Sequence, residues 1–230
     1  MQILAIETST ELGSCALWLD GRLSEKRCPT GRPHSETLLP LVRELLAEAG
    51  VSLRQLDAIA FGVGPGAFTG LRVACGAAQG LAVAADLPVL PVTSLEALAL
   101  QSGADKVLAL LDARMGEVYA GAYRKNDQHW CQEGDIRVAS PVALSLPADS
   151  GWMVCGNAVA AYPVLADRLR AAGIECSAGE PLPLASSIAV LAAPRYLAGE
   201  ALDPALAAPL YVRDKVAKTV AERLSEGGKA

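Results

Sequence analysis

The stretch from Ala60 to Ala84, AFGVGPGAFTGLRVACGAAQGLAVA, constrains this chain more than any other. A glycine-rich turn leads into a helix, expected from about Thr69 to Ala85, that has almost no polar face. At ~100° per residue, Leu71, Cys75, Ala78, Ala82 and Ala85 fall on one side. Val73, Gly76, Ala77, Gly80, Val83 and Ala84 fall on the opposite side, and only Arg72 and Gln79 form a thin polar stripe between. A helix apolar on two sides is buried on two sides. One side can pack on the helix's own sheet. The other needs a second neighbour. Gly76 and Gly80 each cost ~1 kcal/mol relative to Ala in a helix interior, against a typical total stability of ~5–15 kcal/mol. Glycines one turn apart clear a patch so that another backbone can come close. Periodicity leaves open whether that backbone belongs to this chain or to another.

The core around this helix must be built from small aliphatic residues, because aromatics make up only 4% of the 230 residues while hydrophobic residues make up 52%. Charged residues are 20% of the chain, which fits a globular protein and not a disordered one. The length suits one large domain or two small ones. A net charge of −5 argues against a broad nucleic-acid surface, which needs clustered Lys and Arg. The six cysteines include no C-x-x-C pair and read as reduced, buried thiols of a cytoplasmic protein, with no metal role. Glu7 interrupts the first apolar run, so no secretion signal is visible. The run Ala74 to Ala85 contains Gln79 and is too short to span a bilayer.

Along the chain, Gln2 to Ile6, Ser14 to Leu19 and Leu23 to Cys28 read as an antiparallel meander, with Asp20-Gly21 as its second turn. His34 to Ala49 has helical spacing through Leu38, Leu41, Val42, Leu45 and Ala49, stops at Gly50, and should be kinked or restarted in its first turn by Pro40. Strands follow at Leu56 to Phe61 and, after the apolar helix, at Leu87 to Val92, where the prolines indicate an edge or a strand end. Thr93 to Glu96 fits a capping box that opens another helix. The opening then recurs about a hundred residues on. Val107 to Leu111 ends at Asp112 as Gln2 to Ile6 ends at Glu7, and Gly116 leads into Glu117 to Tyr123 as Gly13 leads into Ser14 to Leu19. A repeated strand–acid–turn–strand unit predicts two related lobes. Beyond Ala139 the pattern loosens to a strand at Trp152 to Cys155, helices at Ala158 to Ala172 and Ser186 to Ala198, the latter broken near Pro194, and a mixed-charge terminal helix at Tyr211 to Leu224.

Candidate chemistry is sparse. The glycines at 62, 64 and 66 have neither G-x-G-x-x-G nor P-loop spacing, and no Lys occurs between Lys26 and Lys106. A tight turn ahead of a closely packed helix is the favoured reading. Glu7, Thr8, Ser9, Thr10 and Asp112 would meet across a cleft if the lobes face each other. In sugar kinases and actin-like proteins such turns hold nucleotide phosphates, but here the first acid is Glu, and bulky Thr8 follows it. Hairpin turn chemistry is the plainer account. The two histidines, His34 and His129, have no partner at metal-binding spacing. His34 reads as a cap and His129 as part of a polar loop. No G-x-S-x-G elbow is present.

Five segments together resemble the TsaB (YeaZ) family: ILAIETST…CALW, PHSETLLPLV, FGVGPGAFTGLRVACGAAQGLA, PVTSLEALA and LLDARMGEVYAGAY. The terminal PLYVRDKVAK is similar to that family's ending. The resemblance implies an α/β, two-lobed actin/hexokinase-like fold, with lobes at 1–103 and 104–230 and the C-terminal segment packing back on the first. It implies a cytoplasmic, non-catalytic subunit that pairs with TsaD, and with the ATPase TsaE, to form N6-threonylcarbamoyladenosine at position 37 of tRNAs reading ANN codons. The chain would be a homodimer when alone and would touch tRNA only through the complex. The catalytic paralogue's H-x-x-x-H positions correspond to Ser94 and Leu98, which cannot hold a metal. The resemblance places the pairing surface on His34, Thr37, Leu38, Leu41, Leu45, Arg72, Val73, Gly76, Ala77 and Gly80. It leaves Glu7, Thr8, Ser9 and Asp112 as vestigial nucleotide turns, with no resident cofactor and ATP or ADP at the complex interface as the one candidate ligand. The competing readings are a stand-alone nucleotide enzyme of the actin/hexokinase type and a glycoprotease homologue.

Overall fold

A computed structural model describes residues 1–127, 129–179 and 181–213. The expected helix from Tyr211 to Leu224 falls almost wholly outside them. The first sheet starts with the predicted meander, β1 (Gln2–Glu7), β2 (Ser14–Leu19) and β3 (Arg22–Arg27). Positive φ at Asp20 and Gly21 supplies the tight turn between β2 and β3. Helix α1 (His34–Ala49) follows, unbroken by Pro40 and closed by Gly50 in the left-handed conformation. Strand β4 (Ala58–Gly64), helix α2 (Phe68–Ala85) and strand β5 (Val89–Thr93) complete the sheet, in the order β3-β2-β1-β4-β5 with β4 and β5 parallel to β1. Strand β5 is an edge of the sheet, one of the positions that tolerate its Pro91. Leu202 covers that edge with a pair of backbone hydrogen bonds to Val89, of 2.9 and 2.8 Å.

Helix α3 (Ser94–Ser102) leads to the second sheet, formed by β6 (Lys106–Arg114), β7 (Glu117–Asn126), β8 (His129–Ala139), β9 (Met153–Cys155) and β10 (Glu175–Cys176). Its order, β10-β9-β6-β7-β8, repeats the first sheet: an antiparallel meander whose first strand pairs in parallel with the next. The repeat read from Glu7 and Asp112 is therefore a repeat of architecture, as in the two-lobed actin/hexokinase-like fold. Several expectations change, and the helix expected to break near Pro194 runs unbroken from Ala185 to Leu197. His129 opens strand β8 and does not lie in a loop. The helix expected from Ala158 to Ala172 is two, α4 (Ala158–Ala161) and α5 (Pro163–Ala171). Proline disfavours helical backbone in the residue before it, and Tyr162 is extended at φ −132 and ψ 91. Cys131 and Cys176 are exposed, while the other four cysteines are buried and all six are free.

Side-chain alternation divides the first sheet into two faces. Leu4, Ile6, Leu17, Ile59 and Phe61 face α1 and α2. Ala5, Ala16, Ala58 and Ala60 face α6 (Ala185–Leu197), which presents Ala185, Ala189 and Ala192 in return. Alanine against alanine brings that helix close, which explains how a core with few aromatics stays packed. Helix α3 lies between the sheets, with Ala97 toward α6 and with Leu95, Leu98 and Ala99 toward β6 and β7. Thr93 caps it by accepting from the Glu96 N–H at 3.2 Å. The reciprocal half of the capping box is absent, because both Glu96 carboxylate oxygens instead accept from Nη2 of Arg195 on α6, at 2.5 and 2.6 Å.

The β1–β2 turn is packed into the β4–α2 connection at backbone contact. A Cβ on Gly62 would lie 1.9 Å from the Glu7 carboxylate, and a Cβ on Gly70 would lie 1.9 Å from the Thr8 carbonyl oxygen. The Thr8 hydroxyl donates to the Gly70 carbonyl at 2.8 Å. Glu7 is fully buried. It accepts from the Ser9 N–H at 2.6 Å and from the Ser94 hydroxyl at 2.8 Å, so one carboxylate ties β1 to the start of α3. Gly76 and Gly80 are the opposite case, with nothing within 4 Å of a Cβ at either position.

Two predictions follow from this packing. Gly70→Ala should cost at least ~1–3 kcal/mol, because overpacking here meets backbone, whereas Gly76→Ala should raise stability by up to ~1 kcal/mol. Chemical denaturation of the two variants checks both signs. Burial raises the folded-state pKa of Glu7 above 4.5, against the hydrogen bonds that favour its anion, and burial raises that of Glu96 against the opposing pull of Arg195. Between the unfolded and folded values the native state holds more protons, so stability falls as pH rises through that window. Glu7→Gln removes one of these titrations, and its stability-versus-pH curve should be flatter than that of the parent chain.

Candidate functional site

Two surfaces carry the residues of interest: the cleft between the sheets and the outer face of α2. The cleft encloses about 560 Å³ and is lined by Ser9, Thr10, His34, Thr69, Asp112 and Arg114, among others. The two hairpin turns do face each other across it, and Arg114 of the second reaches Glu11 of the first at 3.7 Å. Most polar groups within the turns are already bonded; the buried Ser9 hydroxyl is the exception, with no partner among the described residues. Glu7 and Thr8 are enclosed, with their oxygens bonded to Ser9, Ser94 and Gly70. Ser9 is buried beside Gly66. Asp112 accepts from the Tyr162 hydroxyl at 2.7 Å and the Arg114 N–H at 2.8 Å, and pairs with the Arg114 guanidinium at 3.0 Å. A Cβ at Gly66 would lie 2.3 Å from the Ser9 carbonyl oxygen and one at Gly70 would lie 1.9 Å from that of Thr8, so the first turn packs directly on the β4–α2 segment. Ser94 and Leu98 are both fully buried on α3, with the Ser94 hydroxyl aimed at Glu7. Among the described residues no group of three His, Cys, Asp or Glu side chains could hold a metal.

The expected pairing residues divide between core and surface. Leu38 and Leu45 are 1% and 2% exposed and pack beneath α1 against the first sheet. Thr37 is buried, and its hydroxyl donates to the Pro33 carbonyl at 3.1 Å. These three line the inward stripe of α1 and are not available to a partner. Leu41 is half-buried, and Leu39, which the sequence reading passed over, is 49% exposed. His34 does not cap α1. Its Nε2 lies 2.9 Å from the Thr10 carbonyl, bracing the helix against the first hairpin turn.

Helix α2 keeps the two faces predicted for it. Leu71, Ala74, Cys75, Ala78 and Ala82 are buried on the sheet. On the other side Gly76, Gly80 and Ala84 are exposed, Val73 and Ala77 are half-buried, and Val83 is 71% exposed. The helix is long and apolar enough, by length and composition, to cross a membrane, because Phe68–Val73 extends the shorter run counted from sequence. Its inner face is nevertheless seated on β4 and β1. The polar stripe between the faces holds the chain's own C-terminal part. Gln79 donates to the Pro204 and Ala207 carbonyls, both at 3.1 Å. Arg72 stacks 3.8 Å from the centre of the Phe68 ring and donates to the Tyr211 hydroxyl at 3.0 Å. The second neighbour that the helix required is thus partly internal, and the Gly76–Gly80 face beside it stays open.

Residues 29–220 match the family model described as TsaD: tRNA N6-adenosine threonylcarbamoyltransferase. The tRNA threonylcarbamoyladenosine biosynthesis protein TsaB of Escherichia coli K12 is 38% identical over 228 residues, covering 94% of this chain and 96% of that one. The Haemophilus influenzae protein of the same name is 35% identical over 230 residues, covering 94% and 95%. Among solved structures, YeaZ from Pseudomonas aeruginosa superposes with a TM-score of 0.82 at 38% identity, covering 91% of this chain and 99% of that one. With this identity along nearly its whole length, and with the same fold, the chain belongs to the TsaB (YeaZ) family of tRNA threonylcarbamoyladenosine biosynthesis proteins, a TsaD-related group.

Proposed function

We propose that this chain is a non-catalytic scaffold and activating subunit that pairs with TsaD, with TsaE as third member, to form N6-threonylcarbamoyladenosine at position 37 of tRNAs reading ANN codons. The observation that carries this reading is the open face of α2, where a Cβ added at Gly76 or Gly80 would meet nothing within 4 Å. An exposed apolar helix face cleared by two glycines suits a second helix at about 8 Å, the close end of the usual packing range. TsaD carries the equivalent helix by kinship, and a second copy of this chain would offer the same face when TsaD is absent. The committed carboxylates of both hairpin turns weigh against a stand-alone nucleotide enzyme, and the negative net charge of −5 favours contact with tRNA through the complex.

Gly76→Arg should leave the fold intact, since it adds a side chain to open space. It should lower TsaD affinity by roughly tenfold to several-hundredfold, the cost of overpacking plus a desolvated charge. Circular dichroism with partner titration reads both effects, and normal TsaD binding by this variant would move the pairing surface elsewhere. In a reconstituted modification assay, Asp112→Asn and Glu7→Gln should keep activity within about twofold of the parent, well under one tenfold step of ~1.4 kcal/mol. A collapse of activity, with folding and pairing intact, would show that the hairpin turns hold a working nucleotide.

A further inference from the structure

We propose that residues 203–213 form a latch that fixes the second sheet against the first and couples their placement to occupancy of the open α2 face. The coupling rests on the pairing role proposed above; the latch itself does not. Apart from one 3₁₀ turn, Pro204–Leu206, the segment has no helix or strand of its own. It runs the length of α2 and is held there by side chains of the polar stripe, Gln79 near one end and Arg72 near the other. The Leu210 N–H donates to the Val63 carbonyl at 2.8 Å, and the Tyr211 ring packs 5.4 Å from that of Phe68. Up to Tyr211, therefore, the segment is attached to the first sheet and its helix.

The next two residues attach it to the second sheet. Val212 packs into the cluster that contains Leu111, Ala113 and Tyr119. Arg213 donates to the Arg114 carbonyl at 3.3 Å and forms an ion pair with Glu117, so it clasps both sides of the β6–β7 turn. A strand-less segment held by a few side-chain bonds opens more readily than the sheets it joins. Its position beside the open face supplies the coupling. Val83 is 71% exposed and Leu206 is 67% exposed, and Gly80, Val83, Pro204 and Ala205 line one groove. A helix is about 10–12 Å across, so one laid over Gly76 and Gly80 would also cover the 3₁₀ turn and hold the segment down.

Hydrogen exchange at the Leu210 amide reads the latch in the full-length free chain. Glu117→Arg and Arg213→Glu should each speed that exchange about fivefold, the scale of one partly exposed ion pair, and the double charge swap should restore it. Exchange unchanged by either single variant, or no restoration by the swap, would overturn the latch and leave the pairing reading standing. Saturating TsaD should slow Leu210 exchange in the parent chain, and Gln79→Ala should abolish that slowing while TsaD still binds. TsaD binding that leaves Leu210 exchange unchanged would overturn the coupling. TsaD binding that survives Gly76→Arg would remove the pairing reading and the coupling with it, while the charge swap would still decide the latch.

Discussion

The contact on which the rest depends is the burial of the β1–β2 turn in the β4–α2 connection. Glycine at 62 and 70 lets Glu7 and Thr8 approach at distances that any side chain there would forbid. The Glu7 carboxylate then reaches Ser94 and sets the start of α3, the helix that lies between the two sheets. One buried acid thus ties the first hairpin turn to the start of α3, while Thr8 beside it ties the turn to α2. Burying a carboxylate is costly unless its oxygens are bonded, and both oxygens of Glu7 are.

That same contact commits the first turn to packing on the β4–α2 segment. The second turn is tied up by Tyr162 and Arg114. What the packing leaves free is the outer side of α2, held rigidly by five residues seated on the sheet. A rigid, open, apolar helix face is suited to holding another protein.

Local pattern and periodicity made much of this legible. The α1 limits, the strand order of the first meander, the edge position of β5 and the repeat that joins Glu7 to Asp112 all follow from signals within a few residues. The two faces of α2 were visible from angular spacing alone. What could not be read were contacts between distant segments. Arg72 and Gln79 stood out as a polar stripe, but their partners lie 139 and 125 or 128 residues away. Glu96 looked like half of a capping box because Arg195, 99 residues on, is invisible to a local pattern. The resemblance marks the whole of α1, Leu38 and Leu45 included, whereas burial turns that stripe of the helix inward. Strand β8 was missed because its face is mostly exposed, so it lacks the alternation that marks a half-buried strand.

The central claim is that the Gly76–Gly80 face of α2 is a protein-pairing surface. Photo-cross-linking tests it most directly, with a benzophenone-bearing side chain introduced at Gly80 in one protein and at Arg170, exposed on α5, in another. The account predicts a covalent adduct with TsaD from position 80 and none from position 170. An adduct from position 170 alone would contradict it.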